Sequence, residues 1–261
     1  MTVADTSLSL SSPALNFDDV SVVFETPDGQ RNTVLSNFSL EVPRGQLVVL
    51  VGRSGCGKTT VLNLAAGLIS PTSGSVTVLG ATPRSARPRL GFMLARDALL
   101  PWRTALGNVT YGLELRKMAK AKRIEVARRW LEAVHLGDAE KRWPWQLSQG
   151  MRQRVALART WALDPDLLLM DEPFAALDAQ TRESVQEEFV SLWQEMRDRT
   201  VLFVTHDIVE ALALADRIVL IGRGRILEDV MLPFERPRDV LNGSTAAEFQ
   251  QLRTSLFAGL R

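Results

Sequence analysis

The sequence predicts an α/β fold: a buried, mostly parallel sheet entered through antiparallel strands and interrupted by a helical insertion. Three observations carry this reading. The run Gln46–Val51 is apolar and Val-rich, is followed at once by the glycine-rich stretch Gly52–Thr60, and leads into helical character over residues 60–68. A strand buried on both faces, a glycine loop and a helix is the repeating step of an α/β sheet. Short apolar runs of the same kind return at Leu167–Met170, Val201–Thr205 and Arg217–Ile221. Between the first run and the others, the pattern changes to helical periodicity through Lys117–His135, with many basic residues on one face.

The elements follow in chain order. Residues 1–15 are Ser-rich and predict a disordered tail, and residues 17–50 alternate as antiparallel strands broken by the turn Thr26-Pro27-Asp28-Gly29. Residues 74–80 read as a short strand, and Ala81–Arg89 as a Pro/Arg-rich loop. From about residue 98 to residue 163 the chain forms a helical subdomain, which closes on a helix opening at Ser148 and running to about Leu163. Residues 236–261 form a short helical tail. There is no internal repeat and no heptad pattern.

Composition narrows the classes of function. With 261 residues, 46% of them hydrophobic, the chain can bury a sizeable core. Its 31 basic and 30 acidic residues leave a net charge of +1, so no overall field draws it to nucleic acid or to an anionic membrane. No apolar stretch approaches the roughly 18 residues of a membrane span, and Met1–Asn16 lacks the basic end and long apolar run of a signal peptide. The chain is expected in the cytoplasm. Cys56, the sole cysteine, has no internal disulfide partner, which points to a reducing compartment and to a role as a small loop filler.

Gly52-Arg53-Ser54-Gly55-Cys56-Gly57-Lys58-Thr59-Thr60 matches the spacing that wraps nucleotide phosphates. Its glycines let backbone N–H groups turn toward a β-phosphate, Lys58 brings a point charge to the β/γ oxygens, and the Thr59 hydroxyl takes one Mg²⁺ position. A second constellation is Leu168-Leu169-Met170-Asp171-Glu172-Pro173, an apolar strand ending in two carboxylates. Strand ends are where α/β sheets bind ligands, so Asp171 suits Mg²⁺, directly or through water, and Glu172 suits a general base. The third is Leu147-Ser148-Gln149-Gly150-Met151-Arg152-Gln153-Arg154, in which Ser148 N-caps a helix whose first N–H groups present a second anion site. Two phosphate-type sites in one chain predict a head-to-tail pair of copies sharing nucleotides.

In order and spacing these segments resemble the nucleotide-binding subunit of an ATP-binding cassette (ABC) transporter, over roughly residues 16–235. The resemblance implies a P-loop NTPase (RecA-like) core with an antiparallel β subdomain and an inserted α-helical subdomain, binding ATP and Mg²⁺. It makes Gly52–Thr59 the Walker A loop, Leu147–Met151 the signature helix with Ser148, Gln149, Gly150 and Met151 facing the nucleotide of the second copy, and Leu167–Asp171 Walker B. Glu172 is then the catalytic carboxylate, Ala176-Leu177-Asp178 the D-loop, and His206 in Thr205-His206-Asp207 the switch that contacts the γ-phosphate. Phe24 falls where the family stacks an aromatic ring on adenine. Read without the resemblance, Phe24 would be a core residue and His206 a structural histidine.

Leu99-Leu100-Pro101-Trp102-Arg103-Thr104, Asn108-Val109 and Asp171–Phe174 resemble the importer branch for nitrate, sulfonate, taurine and related solutes. That branch pairs its ATPase chain with transmembrane permease subunits at the cytoplasmic face of the membrane and, indirectly, with an extracytoplasmic solute-binding protein. The alternatives are an exporter ATPase or a soluble nucleic-acid machine, the latter disfavoured by a single cassette and near-neutral charge. Two departures stand out. Ala95 holds the position of the family's Q-loop glutamine, and an alanine neither ligates Mg²⁺ nor orients water; either Asp97 or Arg96 compensates, or coupling to the permease is altered. The signature reads Leu-Ser-Gln-Gly-Met rather than Leu-Ser-Gly-Gly-Gln.

Overall fold

A computed structural model describes residues 12–26, 28–196, 198–236, 238 and 247–259. The expectation of a disordered tail falls mostly outside these residues, but its last two positions belong to the fold: Ala14 donates its N–H to the Val42 carbonyl (2.8 Å), and Leu15 is fully buried. The chain divides into two compact units, residues 1–90 with 200–261, and residues 91–199.

The first unit carries two sheets. β1 (Leu15–Glu25), β2 (Arg31–Val42) and β4 (Ser73–Val78) form an antiparallel sheet in the order β2-β1-β4. On β1, Leu15, Phe17, Val20 and Val22 turn inward, and Phe17 meets Phe38 of β2 edge to face at 5.6 Å. This is the one-sided burial expected of antiparallel strands. β3 (Leu47–Val51) is different, because all five of its side chains are wholly buried. It lies parallel to β7 (Thr200–Thr205) on one side and β8 (Arg217–Gly222) on the other, and β9 (Arg225–Met231) closes on β8 as an antiparallel hairpin. The hairpin turn, Arg223-Gly224, has positive φ at both residues (50° and 73°), the conformation that matches the strands' right-handed twist. The helices of this unit are α1 (Lys58–Ala65), α2 (Pro83–Ala86), α7 (Ile208–Leu214) and α8 (Ala247–Gly259).

The loop expected over Ala81–Arg89 contains α2 and a 3₁₀ turn at Arg87–Arg89. Local chemistry explains the difference: Thr82 Oγ1 accepts the N–H of Ser85, Pro83 sits at the first helical position, and Arg87 Nε reaches the Ala66 carbonyl at 3.1 Å.

The second unit holds β5 (Leu90–Met93) beside β6 (Leu167–Asp171) with four helices, α3 (Ala105–Leu115), α4 (Lys120–Ala133), α5 (Gln149–Trp161) and α6 (Ala179–Glu195). The helical periodicity read over Lys117–His135 resolves into α4 alone, which Lys117 and His135 bracket with positive φ (58° and 56°), and α3 precedes it. α3 lies inside the helical stretch expected from about residue 98, although its two glycines and β-branched Val109 and Thr110 weaken its propensity. Stacked aromatic rings fill this core: Trp130 on Trp161 at 6.1 Å, Trp161 on Phe189 at 6.3 Å, and Phe174 tilted against Phe189 at 6.1 Å. They join α4, α5, α6 and the loop after β6 in one apolar stack.

Candidate functional site

In the first unit, β3 runs straight into the glycine loop, and α1 begins at Lys58. The loop is shaped by contacts only glycines permit. A Cβ on Gly52 would lie 2.4 Å from the Ile221 carbonyl oxygen and 2.5 Å from Cys56 Sγ; Gly57 takes φ 109° and Gly55 φ 82°. Arg53, Ser54, Gly55 and Thr59 are exposed, Thr60 half-buried, and Cys56 and Gly57 buried. The loop's base is held from below, where Gly224 N–H donates to the Cys56 carbonyl at 3.2 Å. Cys56 thus packs the loop floor, as a small filler does.

Lys58 is only 5% exposed, and its ammonium donates to the Gly52 and Arg53 carbonyls at 2.7 and 3.1 Å. It therefore closes the loop on itself and holds positive charge inside the ring. Whereas α2, α3, α5, α6 and α7 begin with a Ser, Thr or Asp side chain accepting a backbone N–H, α1 begins at Gly57 with no side-chain cap, as α4 does at Ala119. A helix start without such a cap, beside an exposed glycine loop and a buried cation, fits the phosphates of a nucleotide.

Two more residues of this unit were singled out. Phe24, on β1, is 45% exposed, so its ring lies outside the core. His206 is exposed at the end of β7, between two tied neighbours: Asp207 donates its N–H to Thr205 Oγ1 (3.0 Å), and its carboxylate caps α7 through Val209 and Glu210 N–H.

In the second unit β6 ends with half-buried Asp171, after four buried apolar residues. Glu172, also half-buried, has φ 45°, a left-handed conformation that costs a non-glycine residue energy and turns the chain sharply out of the strand. The turn is secured by Ala175 N–H on the Glu172 carbonyl (3.2 Å) and by Gln153 Nε2 donating to the Pro173 carbonyl. Asp178 then caps α6 by accepting the Thr181 N–H at 3.0 Å, and hydrogen bonds from the Thr181 side chain first and its N–H second hold the carboxyl below the usual carboxylate range.

Ser148 caps α5 as expected, accepting the Met151 N–H at 3.3 Å. One of the N–H groups expected to face an anion is therefore already used. Gln149 is exposed, Met151 half-buried and Gly150 buried, and a Cβ on Gly150 would come within 2.4 Å of Thr181 Cγ2. Gly150 is thus also a point where α5 and α6 touch.

The sequence reading passed over Arg152 and Arg159. Arg152 pairs with Asp97 at 3.0 Å, and Arg159 donates to the Asp97 and Ala98 carbonyls, both at 2.8 Å. Their signal was present in the sequence: the two arginines stand two helical turns apart, on one face of the helix that Ser148 opens. Among the described residues, no three His, Cys, Asp or Glu side chains gather as a metal cage. Mg²⁺ takes one or two protein oxygens with phosphate and water filling the rest, and the Thr59 hydroxyl and Asp171 carboxylate are donors of that kind.

Three comparisons bear on this geometry. The ABC transporter family model matches residues 35–175. A taurine import ATP-binding protein, TauB of Escherichia coli, is 46% identical over 205 residues, 78% of this chain and 80% of that protein. A nitrate import ATP-binding protein, NrtD of Synechococcus elongatus, is 39% identical over 254 residues, 95% of this chain and 92% of its own length. Among solved structures, the dimeric ATP-binding cassette MJ0796 bound to ADP and Pi in a post-hydrolysis state superposes with a TM-score of 0.76 at 30% identity, covering 85% of this chain and all of that one.

Proposed function

The chain belongs to the ABC transporter family, and on that premise we propose that it is the ATP-hydrolysing subunit of an importer for a small solute of the nitrate, sulfonate or taurine type. One observation carries the ATPase reading: a glycine loop with a buried lysine at its centre, opening onto a helix whose start has no side-chain cap. The names of the similar taurine and nitrate import proteins support the direction and the solute class. Among the described residues no helix is long and apolar enough to cross a membrane, so passage of solute falls to transmembrane permease subunits. The chain would sit on the cytoplasmic face against them, served indirectly by an extracytoplasmic solute-binding protein.

In this reading the loop amides from Gly52 to Thr60 hold the β- and γ-phosphates of ATP, and Lys58 offsets their charge. Phe24 stacks on adenine through its exposed face. Thr59 and Asp171 supply the oxygens for Mg²⁺, which when bound neutralises phosphate charge. Glu172 orients a water on the γ-phosphorus and accepts its proton as the new P–O bond forms and the bond to the ADP oxygen breaks. His206 donates to the transferring phosphoryl group. Ser148, Gln149, Gly150 and Met151, with Asp178, meet the nucleotide held by a second copy, so that ATP joins two copies and hydrolysis releases them.

The test is Glu172→Gln in the full chain. MgATP binding should persist while turnover falls roughly 10²–10⁴-fold, the usual worth of a positioned general base. Turnover close to that of the unsubstituted chain would remove Glu172 from the role.

A further inference from the structure

The segment after β5, which carries Ala95, is fastened to α5 by two separate devices in the second unit. The first is structural. Arg159 donates to the Asp97 and Ala98 carbonyls, where Ala98 sits at φ 45°, and buried Asn108 bonds both the N–H and the carbonyl of Leu100. These bonds engage backbone groups alone and hold the loop's path whatever its side chains do.

The second device uses side chains. Asp97 Oδ1 accepts the Leu99 N–H at 3.2 Å, its Oδ2 accepts Arg152 Nε at 3.0 Å, and Arg152 Nη1 goes on to the Leu147 carbonyl at 2.9 Å. Leu147 directly precedes Ser148, the cap of α5. The guanidinium thus ties the loop bearing Ala95 to the residue that sets the start of the signature helix. The pair lines an open cleft of about 370 Å³ together with Arg96, Gln149 and Gln153. Asp97 and Arg152 side chains keep 25% and 31% of their exposure, so the pair is wet enough to break and re-form.

We propose that Asp97 and Arg152 are positioning residues: their ion pair sets the orientation of the Ser148 end of α5 relative to the Ala95 loop. This rests on the ATPase reading above. It also assigns Asp97 to the loop rather than to the metal: its oxygens accept the Leu99 N–H and Arg152 Nε inside the unit.

The experiment is a double-mutant cycle of Asp97→Ala and Arg152→Ala in the full chain, read by ATP turnover, Mg²⁺ half-saturation, nucleotide affinity and melting temperature. Each single substitution should lower kcat about tenfold, and the double should be no worse than either single, as coupled partners behave. Nucleotide affinity and Mg²⁺ half-saturation should stay put, and melting should move little because Arg159 and Asn108 still hold the loop. Arg152→Lys, which keeps the charge but not the second tie to Leu147, should fall between. Additive losses, unchanged kcat in the singles, or a melting drop that accounts for the lost activity would overturn the proposal. So would a Mg²⁺ shift confined to Asp97→Ala, which would return that carboxylate to the metal. An inactive unsubstituted chain would overturn this inference and the ATPase reading together, whereas an active one with indifferent Asp97 and Arg152 variants overturns this inference alone.

Discussion

Gly150→Ala tests whether the signature glycine is a packing residue as well as a binding one. At the second position of α5, alanine should help the helix by about 0.5–1 kcal/mol, because glycine carries excess backbone entropy. Against this, the added Cβ would sit 2.4 Å from Thr181 Cγ2, far inside van der Waals contact, in a buried place. Overpacking of one methyl typically costs about 1–3 kcal/mol. The clash wins, leaving a net loss of roughly 1–2 kcal/mol, which for a chain of this size lowers the melting temperature by about 2–8 °C. Thr181→Ser removes the clashing methyl and keeps the backbone N–H that Asp178 accepts. In that background the helix gain is left alone, so Gly150→Ala should raise the melting temperature by about 1–4 °C. Calorimetry on the four proteins of this cycle reads the change of sign. A stabilising Gly150→Ala in the unsubstituted chain, or equal shifts in both backgrounds, refutes the contact as the reason for glycine here.

Two further substitutions test neighbouring parts of the fold. Gly52→Ala should abolish nucleotide binding in a titration with MgATP, and Cys56→Ala added to it should not restore binding, since the closer obstacle is the Ile221 backbone oxygen at 2.4 Å and cannot recede as a side chain can; recovery in the double variant would locate the conflict at the sulfur instead. Asn108→Ala strips a fully buried amide that bonds Leu100, Arg103 and Thr104, leaving the Leu100 N–H without its acceptor. It should cost about 2–4 kcal/mol and roughly 4–16 °C of melting temperature, and a loss within 1 °C would show that water replaces the side chain.

The parts of this fold that sequence makes readable are those whose chemistry is local. β3 is all apolar because both its faces are covered, and the loop after it is glycine because its path needs φ 82° and 109° and a Cβ-free approach to Ile221. Such constraints act over a few residues and leave a pattern in order. Ser148 is legible as a cap for the same reason, whereas the capping roles of Asp178 and Asp207 emerge only from the fold. What sequence does not show is where a long side chain goes. Nothing local at Arg152 announces Asp97, which the chain brings to it across 55 positions, and Gly150 reads as an anion-facing helix-start residue until Thr181 arrives on another helix. Phe24 is the converse case: an aromatic in an alternating strand predicts burial by type, and its 45% exposure depends on which register the strand adopts.

These long-range ties converge on α5. Beyond its Ser148 cap, four polar side chains leave the helix toward three elements of the second unit: Arg152 to Asp97 and Arg159 to the Asp97 and Ala98 carbonyls of the same loop, Gln153 to the Pro173 carbonyl beside Glu172, and Arg154 to Glu188 and Ser184 on α6. Gln153 is 4% exposed, so its amide has little access to water and depends on protein acceptors. A helix anchored only by its apolar face could rotate or slide by a fraction of a turn at small cost, because packed leucines and valines tolerate small shifts. One anchored by directional bonds to the Ala95 loop, the Glu172 turn and α6 cannot turn without breaking at least one of them. Its N-terminal N–H groups therefore report on the loop, the Glu172 turn and α6 together. The dense Arg152-Gln153-Arg154 run follows from this demand, since successive helix positions point about 100° apart and so reach three separate elements.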